Sequence, residues 1–129
     1  MIGDKARSLV QLSEEECSAA AILLSSNPRQ SMYLASQAAE KAARAVCEQA
    51  GVPVGISHNL GQIANLLPST HALRPAITAL DYLSSASTKY RYPTVRGDVP
   101  KAPTTDELQR AVQDIQTFIA KVKAHLGLT

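Results

Sequence analysis

Tryptophan is absent from this 129-residue chain, and Phe118 is its only phenylalanine. A core without large aromatic wedges has to be assembled from Ala, Leu, Val and Ile, and alanine-rich faces let helices approach closely. Cysteine is scarce. Cys17 and Cys47 lie thirty positions apart, which makes neither a disulfide framework nor a zinc site. Two buried free thiols in a reducing compartment are expected instead. No apolar run approaches the roughly 20 residues of a membrane helix, and Met1-Ile2-Gly3-Asp4-Lys5 has no signal-peptide core. A cytoplasmic protein with no membrane contact is expected. The net charge of +2 is too small to demand nucleic acid, and nothing in it argues for DNA.

What is present is hydrophobic periodicity. The hydrophobic fraction is 45%, and one domain spanning 1–129 is expected. A first helix is predicted from about Asp4 to Ser25, with Leu9, Cys17, Ala20, Ala21 and Leu24 at helical spacing. Glu14, Glu15 and Glu16 within it diverge around the helix and read as a solvated face. Asn27 and Pro28 fit the cap and first position of a second helix running to about Ala50, where Gly51 ends it. Met32, Ala35, Ala39, Ala42 and Val46 line its inner stripe, widened by Ala38 and Ala43.

After a Gly-Pro loop, Ser57 is the expected cap of a short third helix carrying Leu60, Ile63, Ala64 and Leu67, which Pro68 stops. A fourth helix is predicted from about Leu73, with Leu73, Ile77, Leu80 and Leu83 buried and weaker helix beyond. Pro93, Gly97, Pro100 and Pro103 mark a loop. Thr104 and Glu107 have capping-box spacing for the last helix, in which Leu108, Val112, Ile115, Ile119, Val122 and Leu126 recur at steps of four and three. No segment reads as a strand. The expected fold is all-α: an antiparallel up-and-down helical bundle of four main helices plus one short helix.

Three short motifs stand out from this background. Gln37-Ala38-Ala39-Glu40-Lys41-Ala42 lies in the second helix, His58-Asn59-Leu60 opens the third, and Arg91-Tyr92-Pro93 follows the fourth. In this order, over nearly the whole chain, they resemble the HEPN domain, a small helical nucleotide-binding module. The resemblance implies a compact helical bundle, a homodimer, and possible pairing with a small nucleotidyltransferase on another chain, as in toxin–antitoxin-like systems. Family members that act as ribonucleases carry Arg, four to six residues, then His, for phosphorane charge and proton transfer. None of Arg7, Arg29, Arg44, Arg74, Arg91, Arg96 or Arg110 is followed by His at that spacing. No catalytic residue, metal ligand or cofactor is therefore assigned.

The expected ligand-binding residues are Arg91, Tyr92, His58, Glu40, Lys41, Gln37 and Lys89, converging on one end or flank of the bundle, with Arg96 and Lys101 at the margin. A guanidinium grips phosphate in two-pronged geometry, and Tyr90 and Tyr92 offer stacking faces or hydroxyls. The structural alternative is that Tyr92 fills the core and Arg91 pairs with a carboxylate such as Glu40. Glu40 and Arg44 form the natural pair at helical spacing. His58, beside a helix N-terminus that favours its neutral form, is either a packed, hydrogen-bonded residue or a ligand contact. His71 and His125 read as isolated surface residues. Three functional readings follow: a non-catalytic module binding a nucleotide or RNA phosphate, a divergent ribonuclease using His58 with Arg91, and a dimerisation domain without a small ligand.

Overall fold

The computed structural model describes residues 3–56 and 59–128. Among them the architecture is entirely helical, without a strand. Three long helices, α1 (Asp4–Leu23), α2 (Pro28–Gln49) and α6 (Thr105–Leu126), are joined by short ones: α3 (Leu60–Leu66), α4 (Arg74–Ala79), a 3₁₀ turn (Asp81–Leu83) and α5 (Ala86–Lys89). Buried serines give the direction of the first hairpin. Ser13 Oγ donates to Ala38 O at 2.6 Å and Ser31 Oγ to Ala20 O at 2.7 Å, so α1 and α2 run antiparallel. Each hydroxyl satisfies itself on a helical carbonyl, which removes the cost of burying it.

The up-and-down order continues around the bundle. Lys123 Nζ of α6 meets Glu14 Oε2 of α1 at 3.1 Å, while Gln116 faces Ala21 across the same groove. The segment from α4 to α5 borders α6: the Tyr82 hydroxyl donates to Asp114, and residues of both line the shallow grooves between them. Every residue of the predicted inner stripes of α2 and α6 is buried, as are Leu73, Ile77, Leu80 and Leu83. Cys17 and Cys47 are free and buried, and burial pushes both thiols above their ordinary pKa. Among the described residues no helix is long and apolar enough to cross a membrane.

Local geometry departs from expectation at three places. The fourth helix is not continuous: it breaks at Leu80 into α4, the 3₁₀ turn and α5. The cause is competition from side chains. Asp81 Oδ1 accepts from Gly61 N–H at 2.8 Å and from Ser84 Oγ at 3.0 Å, and Ser87 Oγ donates to Ser84 O at 3.0 Å. The cap of α3 is Asn59, which exchanges bonds with Gln62 in a capping box; the expected cap, Ser57, lies outside the described residues. Asn27 occupies the N-cap position of α2 with Pro28 at N1, but its side chain makes no capping bond. The box at Thr104 and Glu107 forms as predicted, and Gly127 closes α6 in the left-handed region at φ +74°.

The start of α3 is a tight joint. Leu60 N–H donates to Ser84 Oγ at 2.9 Å and Gly61 N–H to Asp81 Oδ1, so donors that a helix N-terminus leaves unpaired are met from across the fold. A Cβ on Gly61 would lie 3.1 Å from Asp81 Cγ and 3.2 Å from each of its oxygens. That carboxylate accepts two hydrogen bonds through Oδ1, so moving it away from an added Cβ strains or breaks them. Gly61→Ala should therefore destabilise by about 1–3 kcal/mol, as overpacking does. The check is a urea-unfolding cycle with Asp81→Ala: the Gly61→Ala penalty should shrink once the carboxylate is gone, and strict additivity would refute the clash.

Candidate functional site

Arg91 leaves the end of α5 beside the face of α2 that carries Tyr33, Gln37 and Glu40. Its guanidinium carbon lies 4.4 Å from the Tyr33 ring centroid and 5.3 Å from that of Tyr92. Its Nη1 donates to Ser87 O at 3.3 Å, an α-helix-like return to the turn before it. Two aromatic faces and one carbonyl thus fix the plane of the guanidinium while most of its five donors stay free. Among the described residues no carboxylate stands within ion-pair distance of Arg91, and its residue is exposed. The expected structural alternative, an Arg91–Glu40 pair with Tyr92 in the core, does not form. Glu40 instead pairs with Arg44, Oε2 to Nε at 3.5 Å, and Tyr92 is 56% exposed.

Ser87 connects Arg91 to a cleft of about 380 Å³ between α2 and the joint at α3. Gln37 and Glu40 form one wall; Asn59, Leu60, Ser84 and Ser87 form the other. Most polar groups there are already committed. Asn59 caps α3, Ser84 holds Leu60 N–H and Asp81, and Ser87 Oγ is spent on Ser84 O. Glu40 lies at ion-pair distance from Arg44, whose Nη2 donates to Gly55 O at 2.8 Å and ties down the loop before α3. The Gln37 amide makes no hydrogen bond among the described residues, and Glu40 meets Arg44 only as an ion pair, so the Gln37 amide, the Glu40 carboxylate and the Arg91 guanidinium all keep hydrogen-bonding capacity on this flank.

The other expected residues divide. Lys41 borders the same face as Gln37, four residues before it, but turns toward α1, where its Nζ pairs with Glu16 Oε1 at 2.7 Å, so its charge is engaged away from Arg91. Lys89 lies 5.2 Å from the Tyr90 ring and faces the start of α6. There the Thr104 N–H and hydroxyl, donating to Glu107, hold its carboxyl below the usual range, and Lys89 and Lys101 lower it further. Lys89, Tyr92 and Lys101 line a second, larger groove of about 720 Å³ beneath the loop that follows Tyr92. Thr88 lines both clefts, so the α5 exit is the ridge between them. His58 lies outside the described residues.

Tyr33 is the site residue that the motifs did not single out. It stands four residues before Gln37 and seven before Glu40, a spacing that places all three on one helix face, so the signal was present in the period. His71 and His125 are not isolated: their rings approach to 5.1 Å between centroids. His71 Nδ1 accepts from Leu73 N–H at 3.1 Å, and burial first, then His125, lowers its pKa. With Nδ1 so occupied, the pair serves the fold at the α4 entry. No cluster of three or more metal-ligating side chains occurs among the described residues.

The chain belongs to the HEPN domain family, whose model matches residues 6–125. No curated protein and no solved structure matches it. The family assignment agrees with the all-helical fold and covers the α2 stretch, the α3 entry and the Arg91 exit together.

Proposed function

We propose that this HEPN domain is a non-catalytic module that binds the phosphate of a nucleotide or RNA segment at the Arg91 flank. The observation that carries the reading is the state of Arg91: exposed, stacked on Tyr33, bonded only to a backbone carbonyl and not neutralised by a carboxylate. A fixed, unpaired guanidinium is a ready receptor for the anionic oxygens of a phosphate. Gln37 supplies an amide beside it for the polar edge of the ligand. Tyr92 offers an exposed ring on the other side of the ridge. The absence of any Arg followed by His at ribonuclease spacing supports binding without cleavage. The dimerisation-only reading is less favoured, because it calls for Arg91 to be buried in a carboxylate pair. The proposal extends to assembly as a homodimer, with a separate nucleotidyltransferase chain as partner.

The test is a thermal-shift screen of mono- and dinucleotides and short RNAs, since a ligand bound to the native state raises its apparent stability. At least one phosphate-bearing ligand should raise the midpoint, and labelled RNA incubated with the protein should stay intact. No shift across the panel would end the binding reading. RNA cleavage that vanishes in His58→Ala would replace it with the nuclease reading. Light scattering coupled to gel filtration should return a dimer at micromolar concentration, and a strict monomer would refute that part.

A further inference from the structure

The cleft of about 380 Å³ beside Ser87 has the size of a small-molecule site, with a polar wall and an apolar lining. The apolar part is Leu60, buried at the start of α3, and Ile56, which is 97% exposed. Ile56 follows Gly55, whose carbonyl accepts from Arg44 Nη2 at 2.8 Å, so the chain is tethered to α2 just before it. The polar wall is Gln37 and Glu40. The Gln37 amide is unbonded among the described residues, and the Glu40 carboxylate meets Arg44 Nε only through Oε2, at 3.5 Å. Across the cleft the hydroxyls of Ser84 and Ser87 donate to Asp81 and to Ser84 O. Asn59 has its oxygen in the cap of α3, which leaves its amino group. The groups left to read a ligand are therefore an acceptor-only carboxylate and the N–H donors of two amides.

Tyr33, Gln37 and Glu40 share one face of α2. At 1.5 Å of rise per residue, Glu40 lies about 10 Å along the helix from Tyr33, and Gln37 about 6 Å. Arg91 rests on the Tyr33 ring. The distance from the Arg91 guanidinium to this wall is that from the phosphate of one nucleotide to the far edge of its base. A carboxylate binds a base edge that presents N–H groups and repels one that presents lone pairs. Adenine sets the N1 lone pair beside its amino group, cytosine sets N3 and O2 beside its own, and uracil has one N–H between two carbonyls. Guanine has two adjacent donors, N1–H and the 2-amino group, next to the acceptor O6. We propose that this cleft selects guanine, with Glu40 accepting from N1–H and the 2-amino group and Gln37 donating to O6. The inference rests on the phosphate reading of Arg91 and adds to it the identity of the base. Discrimination comes from repulsion as well as attraction, because every other base turns a lone pair toward Glu40.

The experiment is calorimetry on the full chain with the 5′-monophosphates of guanosine, inosine, adenosine, cytidine and uridine. Guanosine monophosphate should bind roughly tenfold or more tighter than the adenosine, cytidine and uridine compounds, the scale of a charge-assisted hydrogen bond. Inosine monophosphate, which lacks only the 2-amino group, should fall between. In Glu40→Ala the guanosine-to-inosine ratio should shrink toward one. This ratio is internal to one variant, so a general loosening of the Arg44 contacts does not move it. Gln37→Ala breaks no bond of the fold and should keep the wild-type melting temperature; it should weaken the guanosine and inosine compounds alike, since both carry O6. The trinucleotides UGU and UUU separate the two sources of guanine: UGU bound more tightly than guanosine monophosphate assigns the base to RNA, and the reverse order assigns it to a free nucleotide. Equal affinity for the five compounds, a preference for another base, or an unchanged guanosine-to-inosine ratio in Glu40→Ala overturns the proposal. Equal affinities that all fall in Arg91→Ala would overturn it and leave the phosphate reading standing, whereas no binding of any compound would overturn both.

Discussion

Replacing Ile115 with alanine is expected to lower the unfolding free energy by about 3–5 kcal/mol, the upper part of the range for large-to-small core changes. Ile115 is completely buried, and α6 packs against both α2 and α1. The cost of such a change depends on whether neighbours can move into the space. Here much of the core is already alanine: Ala35, Ala38, Ala39, Ala42 and Ala43 of α2 are at 0–1% exposure. Alanine has no side-chain torsion with which to fill a void, and the helices that carry it move only as rigid bodies. The cavity should therefore persist. Ile119, at 6% exposure, borders the groove between α1 and α6, where solvent can enter, and Ile119→Ala should cost less, about 2–3 kcal/mol. Ile115→Leu, which keeps the volume, should cost less than about 1.5 kcal/mol. Urea unfolding of the three variants at constant m checks the series. An Ile115→Ala cost near 1 kcal/mol would show that the alanine-lined core collapses after all.

The second large effect concerns the ligand found in the nucleotide screen. Arg91→Ala should weaken its binding by about 1.5–3 kcal/mol, roughly ten- to hundredfold, the scale of charge-assisted hydrogen bonds. Arg91→Lys should restore only part, because an ammonium is a point charge and cannot copy the planar fork. Tyr33 sharpens the test. Its ring lies under the guanidinium at 4.4 Å and makes no other claim on the ligand, so Tyr33→Leu should weaken binding by about 0.5–1 kcal/mol through loss of pre-orientation. In the Arg91→Ala background the same change should have no further effect. Lys41→Gln should leave affinity unchanged, since its ammonium is engaged by Glu16 of α1. Calorimetry on these variants decides the matter. Equal affinity for wild type, Arg91→Ala and Arg91→Lys would remove Arg91 from the site.

The helical architecture was legible in the sequence because it rests on local, repeated signals. The steps of four and three from Leu108 to Leu126, the capping box at Thr104 and the glycine after α2 are all short-range features, and each is found where its spacing places it. The same period placed Met32, Ala35, Ala39, Ala42 and Val46 in the core. The three motifs pointed correctly to the family because they lie in a fixed order over residues that the family model also spans.

The break at Leu80 was not legible in the same way. Leu73, Ile77, Leu80 and Leu83 keep helical spacing through it, so periodicity alone continues the helix. It ends because Asp81 and Ser84 bond to the start of α3, twenty and twenty-four residues earlier, and a side chain cannot announce a distant partner. The same limit applies at the site. Local sequence identified Arg91, Glu40 and Gln37 as candidates, and the α-helical pair of Glu40 with Arg44 follows from their spacing. Only the tertiary structure set Tyr33 under Arg91, sent Lys41 to Glu16, and turned Lys89 and Tyr92 toward the loop groove. Residue type and period determine which groups are polar, cationic or buried, since these depend on the few residues on either side. Which of those groups meet depends on how helices far apart in the chain are packed, and that is decided by the whole core at once.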